Sequence, residues 1–96
     1  MGFSLTKLAD EDLVGIYMYG FGLFGSAQAD TYQDGLEAAF RLIGRHPKAA
    51  RRVPELGAEV RAYTYRAHII LYEPLDEGVL ILRVRSARED WLTFPD

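Results

Sequence analysis

The stretch that decides the fold is 61-RAYTYRAHIILYE-73. β-branched and aromatic residues run up to Tyr65 and again from His68, with Arg66-Ala67 between them. That pattern predicts two antiparallel strands joined by a two-residue turn. The turn lacks the Asn-Gly chemistry that fixes such hairpins, so its geometry stays open at this level. With Tyr65 paired to His68, parity places Arg61, Tyr63, Tyr65, His68, Ile70 and Tyr72 on one face. Val60, Ala62, Thr64, Ile69 and Leu71 fall on the other. In the next strand candidate, Val79 to Ser86, Ile81, Arg83 and Arg85 alternate with Leu80, Leu82, Val84 and Ser86. The mainly aliphatic face is expected to pack on helices. The arginine–tyrosine–histidine face is expected to stand open or half-open.

Upstream the period changes. Ala9, Leu13, Ile16, Gly20 and Phe24 follow helical spacing, with Thr6 as a cap and Asp10, Glu11 and Asp12 at the positive end. Gly20, Gly22 and Gly25 mark its stop. Ser26 is the expected cap of a second helix carrying Ala29, Tyr32, Leu36, Ala39, Phe40 and Ile43, ended by Gly44 and Pro47. So short a connection implies an antiparallel helical hairpin. GFSL, residues 2–5, reads as an edge strand, PKAARRVPELGAE (47–59) as a polar connection, and PLDEG (74–78) as a turn. The order is β-α-α-β-β-β: an α+β domain over residues 1–96, its helical hairpin packed on a small, mostly antiparallel sheet.

Composition narrows the function classes. With 96 residues and no cysteine there is neither a disulfide framework nor a thiolate metal site. His46 and His68 lie too far apart for a helical zinc pair, so no metal and no cofactor is expected. The first residues lack the basic start and long apolar core of a secretory signal, which points to a cytoplasmic protein. The net charge of −3 argues against a general nucleic-acid binder, so DNA is expected to be met only indirectly, through partner proteins, and no membrane is expected. Charge is nonetheless uneven. Residues 41–68 hold seven bases (Arg41, Arg45, Lys48, Arg51, Arg52, Arg61, Arg66) against Glu55 and Glu59. The plain explanation is a solvated loop; the sharper one is a patch that meets phosphates or an acidic partner.

Four ordered stretches resemble the ParE toxins of the RelE/ParE toxin–antitoxin superfamily: LADEDLVGIYMYGFGLFG, QADTYQDGLEAAFRLIGRHP, VRAYTYRAHIILYE and ILRVRSARED. The resemblance implies the same β-α-α-β-β-β fold. It also implies a ParD-like antitoxin whose C-terminal segment folds onto the toxin, and DNA gyrase as a target trapped in its cleaved-DNA complex. Where relatives commonly carry Val-Leu-His-x-Arg, this chain has Val84-Arg85-Ser86-Ala87-Arg88. A RelE-type ribonuclease needs a base, an acid and cations for the phosphate. Ser86 is a poor general acid, and no lysine is expected on the sheet.

The expected function is therefore inhibition by binding, without chemistry of the chain's own. The expected target-facing residues are Arg61, Tyr65, His68, Arg83, Arg85 and Trp91, with Phe94 of the tail beside Trp91. Tyr17, Tyr19 and Phe21 of the first helix are expected to meet the antitoxin, as a helix in a groove or through an added strand. Alternative readings are a ribosome-dependent messenger endoribonuclease and a non-toxic antitoxin-binding module.

Overall fold

The computed structural model describes residues 2–92. Its order is β1 (Phe3–Leu5), α1 (Lys7–Phe24), α2 (Ser26–Arg45), β2 (Arg51–Arg52), a short 3-10 turn (Pro54–Leu56), β3 (Arg61–Tyr65), β4 (His68–Pro74) and β5 (Val79–Ser86). The strands form one sheet in the order β1-β5-β4-β3-β2. Only β1 runs parallel to its neighbour, pairing Phe3 with Val79 and Leu5 with Ile81. The two-residue turn holds Tyr65 opposite His68, with Arg66 at φ 48°. β2 lies inside the stretch expected to be a plain connection; two arginines with no alternating pattern give no strand signal. No helix among the described residues is long and apolar enough to cross a membrane.

The helices form as their spacing predicts. Thr6 caps α1, its hydroxyl accepting the Ala9 N–H at 3.0 Å. One residue, Gly25, joins the helices: at φ 88° it ends α1, its N–H donating to Phe21 O, and begins α2. That positive φ is open to glycine at no steric cost. Ser26 is thus the first residue inside α2, and its side chain makes no cap hydrogen bond, contrary to expectation.

The expected faces of the sheet are reversed. The tyrosine-bearing face, not the aliphatic one, packs on the helices. Ile70, Tyr72, Val79, Ile81 and Val84 join Ala9, Leu13, Leu36, Ala39, Phe40 and Ile43 in the main core, with Tyr63 and Tyr65 partly buried against it. The reason lies in α2. At Gly35 a Cβ would stand 1.8 Å from the Tyr65 hydroxyl oxygen, so glycine makes room for the ring to lie on the helix. Tyr72 is fully buried, and its hydroxyl donates to Pro47 O at 2.8 Å, so no polar atom is stranded. The aliphatic residues form a second core instead: Val53, Val60, Ala62, Ile69 and Leu71, flanked by Leu56, Leu82 and Trp91. Residues 53–60 and Trp91 therefore cover the far face.

A register shift between Leu71 and Tyr72 also changes the parity of β5. Leu71 pairs with Arg83 and Tyr72 with Ile81, which leaves Leu82 as the extra residue of a bulge. Ile81 and Val84 consequently share the main core, although simple alternation puts them on opposite faces.

β1 stops at Leu5 and leaves the edge of β5 uncovered from residue 82 onward. Helix α1 takes over there. Thr6 Oγ1 donates to Leu82 O at 2.7 Å. Nearly two turns further on, the Asp12 carboxylate accepts the Val84 N–H at 2.9 Å and grips the Arg83 guanidinium through Nε at 2.8 Å and Nη2 at 3.0 Å. Both side chains are largely buried, so water screens the pair little. Asp12→Asn is expected to cost about 2 kcal/mol, the order of a hydrogen bond to a charged group, and to lower Tm by roughly 10 °C. Glu11→Gln, on the exposed neighbouring position, leaves Tm nearly unchanged. Thermal melts followed by circular dichroism check both, and equal melting temperatures for Asp12→Asn and wild type would contradict the assignment.

Candidate functional site

The helical hairpin overhangs the turn end of the sheet and encloses a groove of about 720 Å3. One wall is Gly15, Ile16, Tyr19 and Gly20 of α1; the other is His68, Val84, Arg85 and Ser86, followed by Arg88 and Glu89. Tyr32 and Gln33 of α2 also line it.

At its centre the Tyr32 hydroxyl lies 2.7 Å from His68 Nδ1. Burial pushes His68 below the usual imidazole range, opposed in part by the charge of Glu89. Burial raises the Tyr32 hydroxyl, opposed in part by a backbone hydrogen bond from Ala67. A neutral imidazole that accepts at Nδ1 from Tyr32 carries its own proton on Nε2. Behind them the Tyr65 ring meets Tyr32 edge-on at 5.4 Å, and the Arg66 guanidinium lies over Tyr65 at 5.6 Å.

Two of the cations at this end are held by carboxylates, while Arg88 stands exposed at the rim. Arg83 holds Asp12, and Arg85 Nη2 holds Glu89 Oε2. Glu89 Oε1 also accepts the Ser86 N–H at 3.0 Å. Arg85 Nε and Gln33 Oε1 are buried in the groove wall without a hydrogen-bond partner.

The six residues expected to face a target do not share one surface. His68 and Arg85 line the groove, and Tyr65 buttresses it through Tyr32. Arg83 points to α1 and is tied to Asp12. Arg61 lies at the other end of β3, where Nη1 donates to Lys48 O and Ala50 O and fixes the preceding loop. Trp91 covers the far face under the Arg51 guanidinium, 5.2 Å away. Phe94 lies outside the described residues. Tyr32, Gln33 and Glu89 escaped the sequence reading. Tyr32 sits at an ordinary core position of a helix, and Glu89 reaches Arg85 only because the chain turns back after β5.

The helical wall has a second property. No charged residue occurs in 13–29, and α1 leaves Val14, Met18, Tyr19, Phe21, Leu23 and Phe24 exposed, Tyr19 by 72%. Only Ala9 and Leu13 of this helix are buried. Tyr17 stacks near Phe21 at 6.2 Å and donates to Asp30 at 2.6 Å, which raises its hydroxyl above the usual phenol range. A helix apolar all round is one that expects cover on its outer side.

The depressed His68 gives the site a pH signature. As pH falls below about 6.5, the unfolded chain takes up the imidazole proton before the folded one does. The His68 contribution to stability is therefore full above that value and declines until pH passes the lower folded value. Tm measured between about pH 8 and pH 5 is expected to fall more steeply for wild type than for His68→Gln; parallel curves would contradict a buried neutral His68.

Over residues 3–91 the chain matches the family described as "ParE toxin of type II toxin-antitoxin system, parDE". Among solved structures it is similar to a chain of the chromosomal ParDE toxin–antitoxin system from P. aeruginosa. That likeness has a TM-score of 0.74 at 22% identity and covers 90% of this chain and 95% of the other. At that identity it speaks for the fold alone. No curated protein sequence gives a match. The family match runs through the capped helical hairpin, the sheet and the groove between them, and the chain belongs to the ParE toxin family of type II toxin–antitoxin systems.

Proposed function

We propose that this toxin acts in the cytoplasm by docking on DNA gyrase and stabilising its cleaved-DNA complex, and that a ParD-like antitoxin neutralises it. The observation that carries this reading is the chemistry of the groove. Its histidine is held neutral against Tyr32, and Arg85 is matched to a carboxylate. A phosphodiester-cleaving site asks for a free acid, a free base and cations aimed at the phosphate. A pre-formed concave surface lined by Ile16, Tyr19, Tyr32 and Val84, with few polar groups converging on it, suits recognition of a protein segment better than chemistry. His68, Arg85 and the Tyr65 buttress are the groove's contribution to target binding, and the chain is not an enzyme.

Antitoxin docking is assigned to the uncharged outer face of α1. Tyr19 and Phe21 stand exposed there, beside Tyr17, on a helix with no charged residue after Asp12. Aromatic anchors of this kind carry most of the energy at interfaces. An amphipathic antitoxin helix laid across this face would give α1 the cover it lacks.

In a gyrase supercoiling assay the folded chain is expected to inhibit and to leave trapped cleaved DNA, while Arg85→Ala, still folded, inhibits at least tenfold less. No effect from folded wild-type protein would overturn the gyrase assignment. Tyr19→Ala combined with Phe21→Ala is expected to weaken antitoxin binding roughly 100-fold, from about 1.5 kcal/mol per anchor, by calorimetric titration. Unchanged affinity would move the antitoxin off this helix.

A further inference from the structure

The basic residues from the last turns of α2 onward are not used by the groove or by the apolar face. Between Glu37 and Glu55 there is no acidic residue, while Arg41, Arg45, Lys48, Arg51 and Arg52 are present. Arg45, Lys48, Arg51 and Arg52 are exposed. The ion pairs seen among the described residues, Arg83 with Asp12 and Arg85 with Glu89, start from β5, two strands away from β2–β3 or further across the sheet, and involve none of these residues. Part of the pattern has a plain cause. Arg45 suits the negative end of α2, and arginine on a short edge strand discourages strand-to-strand aggregation.

Edge protection accounts for a cation on β2 but not for its pairing with a second one, Arg61, on β3. Arg52 and Arg61 are direct cross-strand partners in the β2–β3 pair, which brings two like charges to one face about 5 Å apart at Cβ, an unfavourable arrangement by itself. Arg61 Nη1 is spent on Lys48 O and Ala50 O, and Arg61 Nε is buried without a partner. Arg52 Nη2 donates to Ala58 O, which holds its guanidinium in place beside the strand. Those bonds fix both guanidiniums without neutralising either. The same Arg61 bonds set the backbone of the loop that carries Lys48. Arg51 stands on the opposite face of β2, stacked on Trp91. The edge therefore presents ordered arginines on both sides of one strand, with Lys48 beside them.

We infer that this edge binds the phosphodiester backbone of duplex DNA. Guanidiniums take phosphate and carboxylate oxygens alike in pairs; what favours a duplex is that it offers regularly spaced anions to a row of cations rather than to one. The inference goes beyond the gyrase assignment and does not depend on it, because the duplex is bound by this chain alone and no base contact is involved.

The test is fluorescence anisotropy of the purified chain with a labelled duplex of about 20 base pairs at about 50 mM salt, repeated as salt is raised. Wild type is expected to bind with a clear salt dependence. Lys48→Gln, Arg51→Gln and Arg52→Gln together are expected to bind at least tenfold more weakly and to reduce the salt slope by about 3. Melting curves report whether the triple variant folds, and Lys48→Gln alone, in an exposed loop, gives the single-site step. Trp91, the only tryptophan, lies under Arg51 and reports binding at this edge in wild type by a change in its emission. Absence of DNA binding by folded wild type, an unchanged slope in the folded variants, or silent Trp91 emission on binding would overturn the inference. Polyglutamate competing as well as DNA at equal charge would also overturn it and assign the edge to an acidic polypeptide.

Discussion

The Asp12 carboxylate joins the two halves of the molecule. It accepts a backbone N–H from the uncovered edge of β5 and two N–H groups from Arg83. β1 protects only the first three residues of that edge; Thr6 takes Leu82 O next, and without Asp12 the Val84 N–H would be left unpaired. The bulge at Leu82 swings Arg83 out of simple alternation and toward α1, where the carboxylate waits. With α1 fixed at this point, its second half projects past the sheet. The groove lies under that projection, and the uncharged outer face of the helix lies on top of it. Both surfaces assigned to partners lie on the half of α1 beyond this contact, where the helix rests on α2.

Much of the fold was legible in the residues. Hairpin parity around Arg66-Ala67 gave the β3–β4 register, because a side-chain period of two leaves little freedom once Tyr65 faces His68. Thr6, the leucine and alanine spacing and Gly25 marked the helices. Which face of the sheet takes the helices was not legible. Tyrosines look like surface residues until a glycine such as Gly35 is known to lie opposite the ring, and that is a contact between residues thirty positions apart. The bulge was hidden for a similar reason. Leu80, Leu82 and Val84 alternate cleanly in the sequence, and only pairing with β4 shows the extra residue.

The site was legible in part. His68 and Arg85 were recognisable as a histidine and an arginine near strand ends, and the structure places both in the groove. Arg83 and Arg61 were recognisable as cations, but their partners, a carboxylate on α1 and loop carbonyls, come from other elements. Their first effect is on shape: one holds a helix and the other holds a loop. A small domain has few contacts to spare, so cations that fix shape and cations that meet partners are sorted by burial and pairing rather than by residue type. Glu89 belongs to both groups, since it neutralises Arg85 and also fixes the turn after β5.

The measurement that tests the docking account most directly is amide hydrogen exchange on the chain alone and in the presence of DNA gyrase with DNA. The account predicts slowed exchange at the β3–β4 turn and at residues 84–89, the two stretches that meet at the groove. Exchange that is unchanged there, with protection confined to segments away from the groove, would contradict it.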